Sequence, residues 1–320
     1  MTEKTRSRFI NDIYVNREYS WLLFDKRVLE QSQDLTNPLL ERCKFLSIFS
    51  SNLDEFFMVR VGSLYNESLS DAQARDNKTQ LTAAKQLEGV CETVRDLYAE
   101  RAVCYFRLKK ELSKYGVRIL RADELTPRQK EEARTVFMTH VLPLLSLMVL
   151  DAKHPLMQFE NMKNYMLYDL ERDGRHMVGV MAFNAALDRL YRIGGGEKAR
   201  LVPLEELVRA FGHNAFTGYT AGGRMMMRVT RNADFDTNID DSDVERDFSE
   251  IMKKKVESRA RLNVVRLEID REDEKLKEFV LKLLKLHPRF CFCDERFFDY
   301  KFMFSLDKYL PPERSLPLKY

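Results

Sequence analysis

The sequence predicts an α+β fold with two domains, and three observations support this prediction. The 320 residues are 44% hydrophobic and 32% charged, which suits a folded chain slightly longer than one hydrophobic core usually allows. The first 115 residues carry only helical periodicity. After this point, short strand-like runs alternate with helices without strict βαβ order. We therefore expect an all-helical amino-terminal domain over residues 1–115, a mixed α+β head domain over residues 116–308, and a proline-rich linker over residues 309–320.

Three helices account for the amino-terminal domain. Asn16 is a suitable N-cap for the first helix, in which apolar residues recur at steps of three and four. Asparagine and proline at residues 37–38 favour the start of a second helix that runs to about Leu64. A polar stretch over residues 68–78 separates it from a third helix over residues 79–115, which a glycine then ends. Two long helices joined by a short polar segment predict an antiparallel hairpin.

The head domain is predicted from shorter signals. A strand candidate over residues 117–120 precedes a helix that begins at Thr126 and runs to about Val141. The Asp-Gly pair at residues 173–174 favours a hairpin between two strands. The other predicted elements are the strands 165–170, 177–182, 191–193, 225–229 and 264–269, and the helices 204–211, 248–261 and 272–286.

Charge and cysteine content exclude several classes of protein. The formal net charge is only +3, so no global basic field indicates a nucleic-acid binder. The five cysteines are odd in number and scattered, which indicates thiols in a reducing compartment. Cys291 and Cys293 form a C-x-C pair, but no second Cys/His pair at zinc spacing accompanies them, so we predict no metal site.

The sequence also predicts a cytoplasmic location. Its first 15 residues are polar and charged and lack the apolar segment of a signal peptide. No run of about 18 apolar residues occurs, so we predict no transmembrane helix. These features are compatible with peripheral attachment to a membrane.

One arginine-rich strand is a candidate polyanion site. Period two places Arg224, Met226 and Arg228 on one strand face, with Arg231 at or beyond the strand end. Guanidinium groups on a rigid strand suit phosphate oxygens, and inorganic polyphosphate would be such a ligand. The alternative, an ordinary solvated strand face, is favoured on sequence alone. A lysine run at residues 253–255 is interspersed with acids and also favours a solvated face.

Asn52 is the most informative single residue. It shares a helical stripe with Phe45, Phe49 and Phe56, where a polar amide needs a partner. An amide flanked by aromatic rings can contact the edge of a purine. Alternatively, it bonds across helices and fixes their register, and spacing alone favours this structural role.

Five segments resemble bacterial polyphosphate kinases. They are residues 14–29 (YVNREYSWLLFDKRVL), 37–42 (NPLLER), 45–60 (FLSIFSSNLDEFFMVR), 216–219 (FTGY) and 228–236 (RVTRNADFD). The first and third are long and specific, and the order of the five fits the family along the whole chain. Tyr19 departs from the leucine that is more usual in the family, a packing change without functional consequence.

The resemblance implies an enzyme that reversibly transfers the terminal phosphate of ATP to inorganic polyphosphate. It implies ATP and ADP as substrates, Mg²⁺ as cofactor, and a homodimer or tetramer. In the family, the asparagine of the S-N-L-D-E-F block contacts adenine, and this position is Asn52. With that implication Asn52 becomes the expected adenine contact, and Phe45 and Phe49 are weaker candidates for flanking the same pocket.

The resemblance also implies that a catalytic half lies elsewhere. Family members carry a phosphohistidine in a His-x-Lys pattern within two carboxy-terminal domains similar to phospholipase D. None of the five histidines here is followed by x-Lys, and the family's metal and phosphate ligands also lie downstream. We therefore expect no catalytic residue and no activity in this chain alone. The alternatives are a non-enzymatic polyanion-binding module and a purely structural oligomerisation module.

Overall fold

The computed structural model describes residues 14–150, 158–196, 198–233, 262–271, 273–294, 297–310 and 318. The first helix, α1, spans Arg17–Gln31. The Asn16 side chain accepts hydrogen bonds from the backbone N–H groups of Glu18 and Tyr19, at 3.0 and 3.2 Å, which confirms the predicted N-cap. Its Nδ2 also donates to Gln86, so the cap fixes α1 against a later helix.

A long helical hairpin follows. Helix α2 spans Leu39–Phe56, continues through the π-helical turn Phe57–Val61, and becomes α3, Gly62–Ser70. Helix α4 spans Ala83–Lys114, which is about 48 Å at 1.5 Å per residue. It runs antiparallel to the α2–α3 rod, since Arg42 near the start of the rod pairs with Glu111 near the end of α4. The predicted antiparallel hairpin is confirmed.

Helix α4 begins later than predicted because a turn precedes it. Asp76 Oδ2 accepts hydrogen bonds from the backbone N–H and the hydroxyl of Thr79. These bonds hold the chain in a turn, and Thr82 caps the helix instead, by accepting from the backbone N–H of Lys85. Gly116, with φ of +93°, follows the helix as predicted.

The head contains a small sheet with its own helices. Strand β1 spans Val117–Ile119, β5 spans Leu190–Arg192 and β6 spans Ala199–Pro203, in the order β1-β6-β5. Strand β1 is parallel to β6, and β5 is antiparallel to it. Helix α5, Pro127–Val136, lies between β1 and the next strand, and α6, Leu204–Phe211, follows β6 directly.

A six-stranded sheet forms the rest of the head. Its strands are β2, Ser146–Leu150; β3, Asn164–Arg172; β4, Arg175–Ala182; β7, Thr220–Arg231; β8, Val264–Ile269; and β9, Cys291–Cys293. Their order in the sheet is β2-β4-β3-β7-β8-β9. Every neighbouring pair is antiparallel except β8 and β9. The positive φ angles of Asp173 and Gly174 confirm the predicted hairpin turn between β3 and β4.

Two predicted helices have different outcomes. The prediction at residues 272–286 corresponds to α7, Glu274–Leu284, which ends where Lys285 adopts a left-handed φ of +52°. The predicted helix 248–261 and the lysine run within it lie outside the described residues. Strands β2, β6 and β9 were not predicted. Strand β9 has only three residues, and β2 lies in an apolar run without alternation.

Strand β7 separates two hydrophobic cores. Met225, Met227 and Val229 belong to a core that also contains residues of the amino-terminal helices, whereas Met226 belongs to a second core with α6. Both faces of the strand are therefore buried. The chain changes from helix to sheet near the predicted domain boundary at residue 116. Residues from both sides of this boundary share one hydrophobic core. The division into two domains stays a prediction. Most of the predicted linker lies outside the described residues.

Among the helices that the structure describes, none is both long and apolar enough to cross a membrane.

Candidate functional site

Asn52 on α2 contacts Asp25 on α1. Asn52 Nδ2 donates a hydrogen bond to Asp25 Oδ1 at 3.0 Å. Asp25 is completely buried, whereas Asn52 is half-buried. Within the described part of the chain, Asn52 Oδ1 makes no hydrogen bond and is not among the fully buried unpaired atoms, so it keeps contact with solvent. The amide thus combines the structural role that spacing favours with a vacant acceptor.

An aromatic pair lies one helical turn away. Trp21 lies four residues before Asp25 on α1, and Phe56 lies four residues after Asn52 on α2. Each ring is therefore on the same face of its helix as the polar residue. The two rings stack, with centroids 4.4 Å apart and an interplanar angle of 13°. Phe24 meets Trp21 edge-on at 6.4 Å and is 46% exposed. Phe56 is only 2% exposed, so the apolar surface open to a ligand here is that of Phe24. An exposed aromatic ring together with a solvent-facing amide suits a nucleobase.

Burial makes Asp25 an unusual carboxyl group. It raises the pKa of Asp25 to about 7, and the hydrogen bond from Asn52 and the charge of Arg101 oppose this shift. Asp25 Oδ2 is buried and has no hydrogen-bond partner among the described residues. An ionised carboxylate only accepts hydrogen bonds, so it holds the donating end of the Asn52 amide and turns the accepting end away.

Phe45 and Phe49, the weaker candidates for the same pocket, differ in burial. Phe49 is fully buried in the core between the helices, so no ligand reaches it. Phe45 is half-buried, but it lies seven residues before Asn52, about 10 Å along the helix axis. The rings of Trp21 and Phe56 lie one helical turn from Asp25 and Asn52, by their spacing on α1 and α2. Sequence reasoning considered only the stripe on α2, and the missed signal was the matching i, i+4 pair of Trp21 and Asp25 on α1.

A buried ionic cluster connects α2 to the six-stranded sheet. Arg228 Nη2 donates to Asp54 Oδ1 at 2.9 Å, and its Nε donates to Glu268 Oε2 at 2.8 Å. Arg266 Nη2 donates to the same Asp54 oxygen at 2.5 Å. Tyr98 on α4 accepts from Arg266 and donates to Glu268. Two arginines and two carboxylates balance one another, as buried charges require.

This cluster corrects the prediction of a cationic strand face. Arg228 is only 1% exposed and its guanidinium group is occupied by Asp54, Glu268 and the carbonyl of Phe298. It is not available to polyphosphate, because α2 covers the strand face that period two had left open.

The two other arginines of the strand differ in their surroundings. Arg231 is half-buried and donates to the carbonyls of Phe159 and Leu262 at 3.0 and 2.7 Å, and burial lowers its pKa. Arg224 lies opposite Tyr168 on β3, is half-buried, and makes no side-chain hydrogen bond within the described residues. Of the three predicted contacts, Arg224 is the one whose guanidinium group makes no hydrogen bond within the described residues.

A polar cleft of about 510 Å³ opens at the end of the six-stranded sheet. Arg189 spans its wall, donating to both carboxylate oxygens of Asp299 at 3.0 Å and pairing with Glu205. Asn164 also lines it, and its buried Oδ1 lacks a partner among the described residues. Asn52 does not line this cleft. In the described ranges, no three His, Cys, Asp or Glu side chains form a group that could hold a metal ion.

Comparison with protein-family models identifies two matches along the chain. Residues 14–120 match the polyphosphate kinase N-terminal domain, and residues 128–306, more than half of the chain, match the polyphosphate kinase middle domain. The chain belongs to the polyphosphate kinase family. Asp25, Asn52 and Asp54 lie in the first matched range, and Arg228 and Arg266 lie in the second.

Curated polyphosphate kinases resemble the chain over nearly its whole length. The Bacillus anthracis protein is 34% identical over 93% of this chain, and an Exiguobacterium protein is 33% identical over 94%. A Staphylococcus epidermidis polyphosphate kinase is 32% identical over 95%. The matches cover 44%, 42% and 43% of these relatives, so the chain spans less than half of their length.

A solved structure supports the fold. The crystal structure of polyphosphate kinase from Porphyromonas gingivalis matches 95% of this chain with a TM-score of 0.73 and 21% identity, and the match covers 42% of that protein. The helical region followed by a mixed head therefore agrees with the predicted α+β architecture.

Proposed function

We propose that this chain provides the adenine-binding and scaffolding part of a polyphosphate kinase. The observation that supports this proposal is the vacant acceptor of Asn52, held by Asp25 beside the stacked rings of Trp21 and Phe56. In this proposal Asn52 Oδ1 accepts a hydrogen bond from the base of ATP or ADP. Phe24, which is exposed next to Trp21, provides an apolar surface for the ring.

The parent reaction would be reversible transfer of the terminal phosphate of ATP to inorganic polyphosphate. Phosphoryl transfer requires cations and a nucleophile placed around the phosphates. In the described part of the chain, the buried arginines 101, 228 and 266 are engaged in ion pairs. Within the described residues, no three His, Cys, Asp or Glu side chains form a group that could hold a metal ion. We therefore propose that this chain orients the nucleotide and that the reacting phosphates and Mg²⁺ are held elsewhere, so that the chain alone is inactive.

The oligomeric state, the location and the polyphosphate contact are also proposals. A homodimer or tetramer, a cytoplasmic location and a polyphosphate contact at Arg224 are all compatible with the fold. The alternative of a purely polyanion-binding module has less support, because the side chains of Arg228 and Arg231 form hydrogen bonds within the chain.

Calorimetric titration of ADP and ATP into the chain tests the adenine site. We expect binding by the wild type and a loss of about 1–3 kcal/mol in Asn52→Ala, the usual contribution of a hydrogen bond that is left unmade. Asn66→Ala is the matched control, since Asn66 is exposed on α3 of the same helical rod. Equal affinities of the two variants, or no binding by the wild type, would contradict the proposal.

A further inference from the structure

We propose that Asp25 is a positioning residue that makes the site select 6-amino purines over 6-oxo purines. The inference rests on the proposed function, because it assigns the chemistry by which Asn52 would distinguish one base from another. Asp25 itself does not touch the nucleotide in this proposal. It acts only through the orientation of the Asn52 amide.

An asparagine amide is ambiguous unless a neighbour fixes it. Its Nδ2 donates and its Oδ1 accepts, and rotation about the last side-chain bond exchanges the two. When ionised, Asp25 removes this ambiguity, because its carboxylate can then only accept and its Oδ1 lies 3.0 Å from Nδ2. Since Asp25 is fully buried on α1, it cannot turn towards solvent and release the amide. Asn52 therefore presents Oδ1 to any ligand.

The two helices hold this orientation in place. Trp21 and Asp25 are one turn apart on α1, and Asn52 and Phe56 are one turn apart on α2. The stacked aromatic pair and the polar pair form consecutive contacts between the helices. Reversing the amide would place Oδ1 against the carboxylate oxygen and bring two acceptors together. The adjacent aromatic stack keeps the helices from separating to relieve that contact.

An outward-facing carbonyl oxygen distinguishes purines at position 6. Adenine carries an amino group there, which donates a hydrogen bond to Oδ1. Hypoxanthine and guanine carry a carbonyl oxygen, which cannot donate and is repelled by Oδ1. A site that forms a hydrogen bond with the amino group has an unpaired polar atom when a carbonyl oxygen takes the place of that group. The geometry therefore predicts tighter binding of ADP than of IDP, two nucleotides that differ in the group at position 6 and in the proton that hypoxanthine carries on N1.

The experiment compares ADP and IDP binding at pH 8 by calorimetry, using the 320-residue chain. We expect wild type to bind ADP about tenfold more tightly, and Asp25→Asn and Asp25→Ala to reduce that ratio to about one to two, since either lets the amide turn. Asp96→Asn, at an exposed aspartate of α4, should keep the wild-type ratio. Circular dichroism confirms that each variant is folded. A ratio that persists in both folded Asp25 variants, or a wild type without preference, overturns the inference.

A second measurement separates this inference from the proposed function. The side-chain amide ¹⁵N resonance of Asn52 should shift with pH near 7 in wild type, because Asp25 titrates next to it while Arg101 of α4 keeps its charge. The shift should vanish in Asp25→Asn. Absence of nucleotide binding by the wild type would refute the proposed function and the selectivity with it. A resonance that does not follow pH, in a chain that binds ADP, would refute only the role of Asp25.

Discussion

Asp54 of α2 and Arg266 of β8 form a buried ion pair across the junction of helices and sheet, with 2.5 Å between Oδ1 and Nη2. The same Asp54 oxygen accepts from Arg228, and both arginines are 1% exposed. One carboxylate of the S-N-L-D-E-F segment thus compensates two arginines of the head. This arrangement fixes α2, and with it Asn52, relative to the sheet.

Removing this carboxylate should destabilise the whole chain. Asp54→Ala leaves the two buried arginines with Glu268, and Arg228 also with Asp299 at 3.9 Å, and we expect a loss of about 3–5 kcal/mol in the free energy of unfolding. Urea denaturation followed by circular dichroism measures this loss. Glu55→Ala, at the exposed next position, is the control and should change stability by less than about 0.5 kcal/mol. Similar effects of the two substitutions would contradict the assigned role.

Neutralising Asp25 should stabilise the chain in a pH-dependent way. Burial raises the pKa of Asp25 from 3.8 to about 7, so the folded chain retains a proton that the unfolded chain loses between these values. The associated stability is present below pH 4 and is lost as pH rises through 7. Asp25→Asn should therefore change the free energy of unfolding only slightly at pH 4 and raise it by about 2–4 kcal/mol at pH 8.

Denaturation at pH 4, 5.5 and 8 measures this difference, with Asp96→Asn as the control. A difference that does not grow between pH 4 and pH 7 would show that Asp25 has an ordinary pKa.

The aromatic surface beside Asn52 should respond to nucleotide. Trp21 is the single tryptophan of the chain, and its fluorescence reports on the stack with Phe56 and on any base placed against Phe24. We expect ADP to change the emission of Trp21, and Phe24→Ala to weaken ADP binding by about 1–3 kcal/mol. Phe106→Ala, at a similarly exposed ring on α4, should have no effect on affinity. Unchanged emission at saturating ADP would place the base elsewhere.

Thiol reactivity tests the packing of the helical hairpin. Cys43 and Cys91 are buried, and burial raises the pKa of each thiol to about 12, whereas Cys293 on β9 is exposed. Because the thiolate is the reactive form, we expect a disulfide-exchange reagent to modify Cys293 rapidly and the two helical cysteines only on unfolding. Mass spectrometry of the labelled chain identifies the sites. Rapid labelling of Cys43 in the folded chain would contradict the packing of α2.

Sequence reasoning predicted most helices and the longer strands because their signals are local. The N-cap at Asn16 and the Asp-Gly turn after β3 depend on neighbouring residues only, and both are confirmed. The exceptions also have local causes. Strand β9 is too short to show alternation, and the turn at Asp76 uses residues that the helical pattern had assigned to α4.

The sequence by itself determined the architecture and the family: a helical hairpin, a mixed head and five characteristic segments, including the one that contains Asn52. Only the tertiary structure decided what the polar side chains do. Arg228 has the same spacing as a solvated arginine, but packing of a helix 174 residues away in sequence buries it against Asp54. Asp25 and Asn52 meet because two helices pack face to face. Burial and pairing depend on which faces come together, and local spacing does not encode that choice.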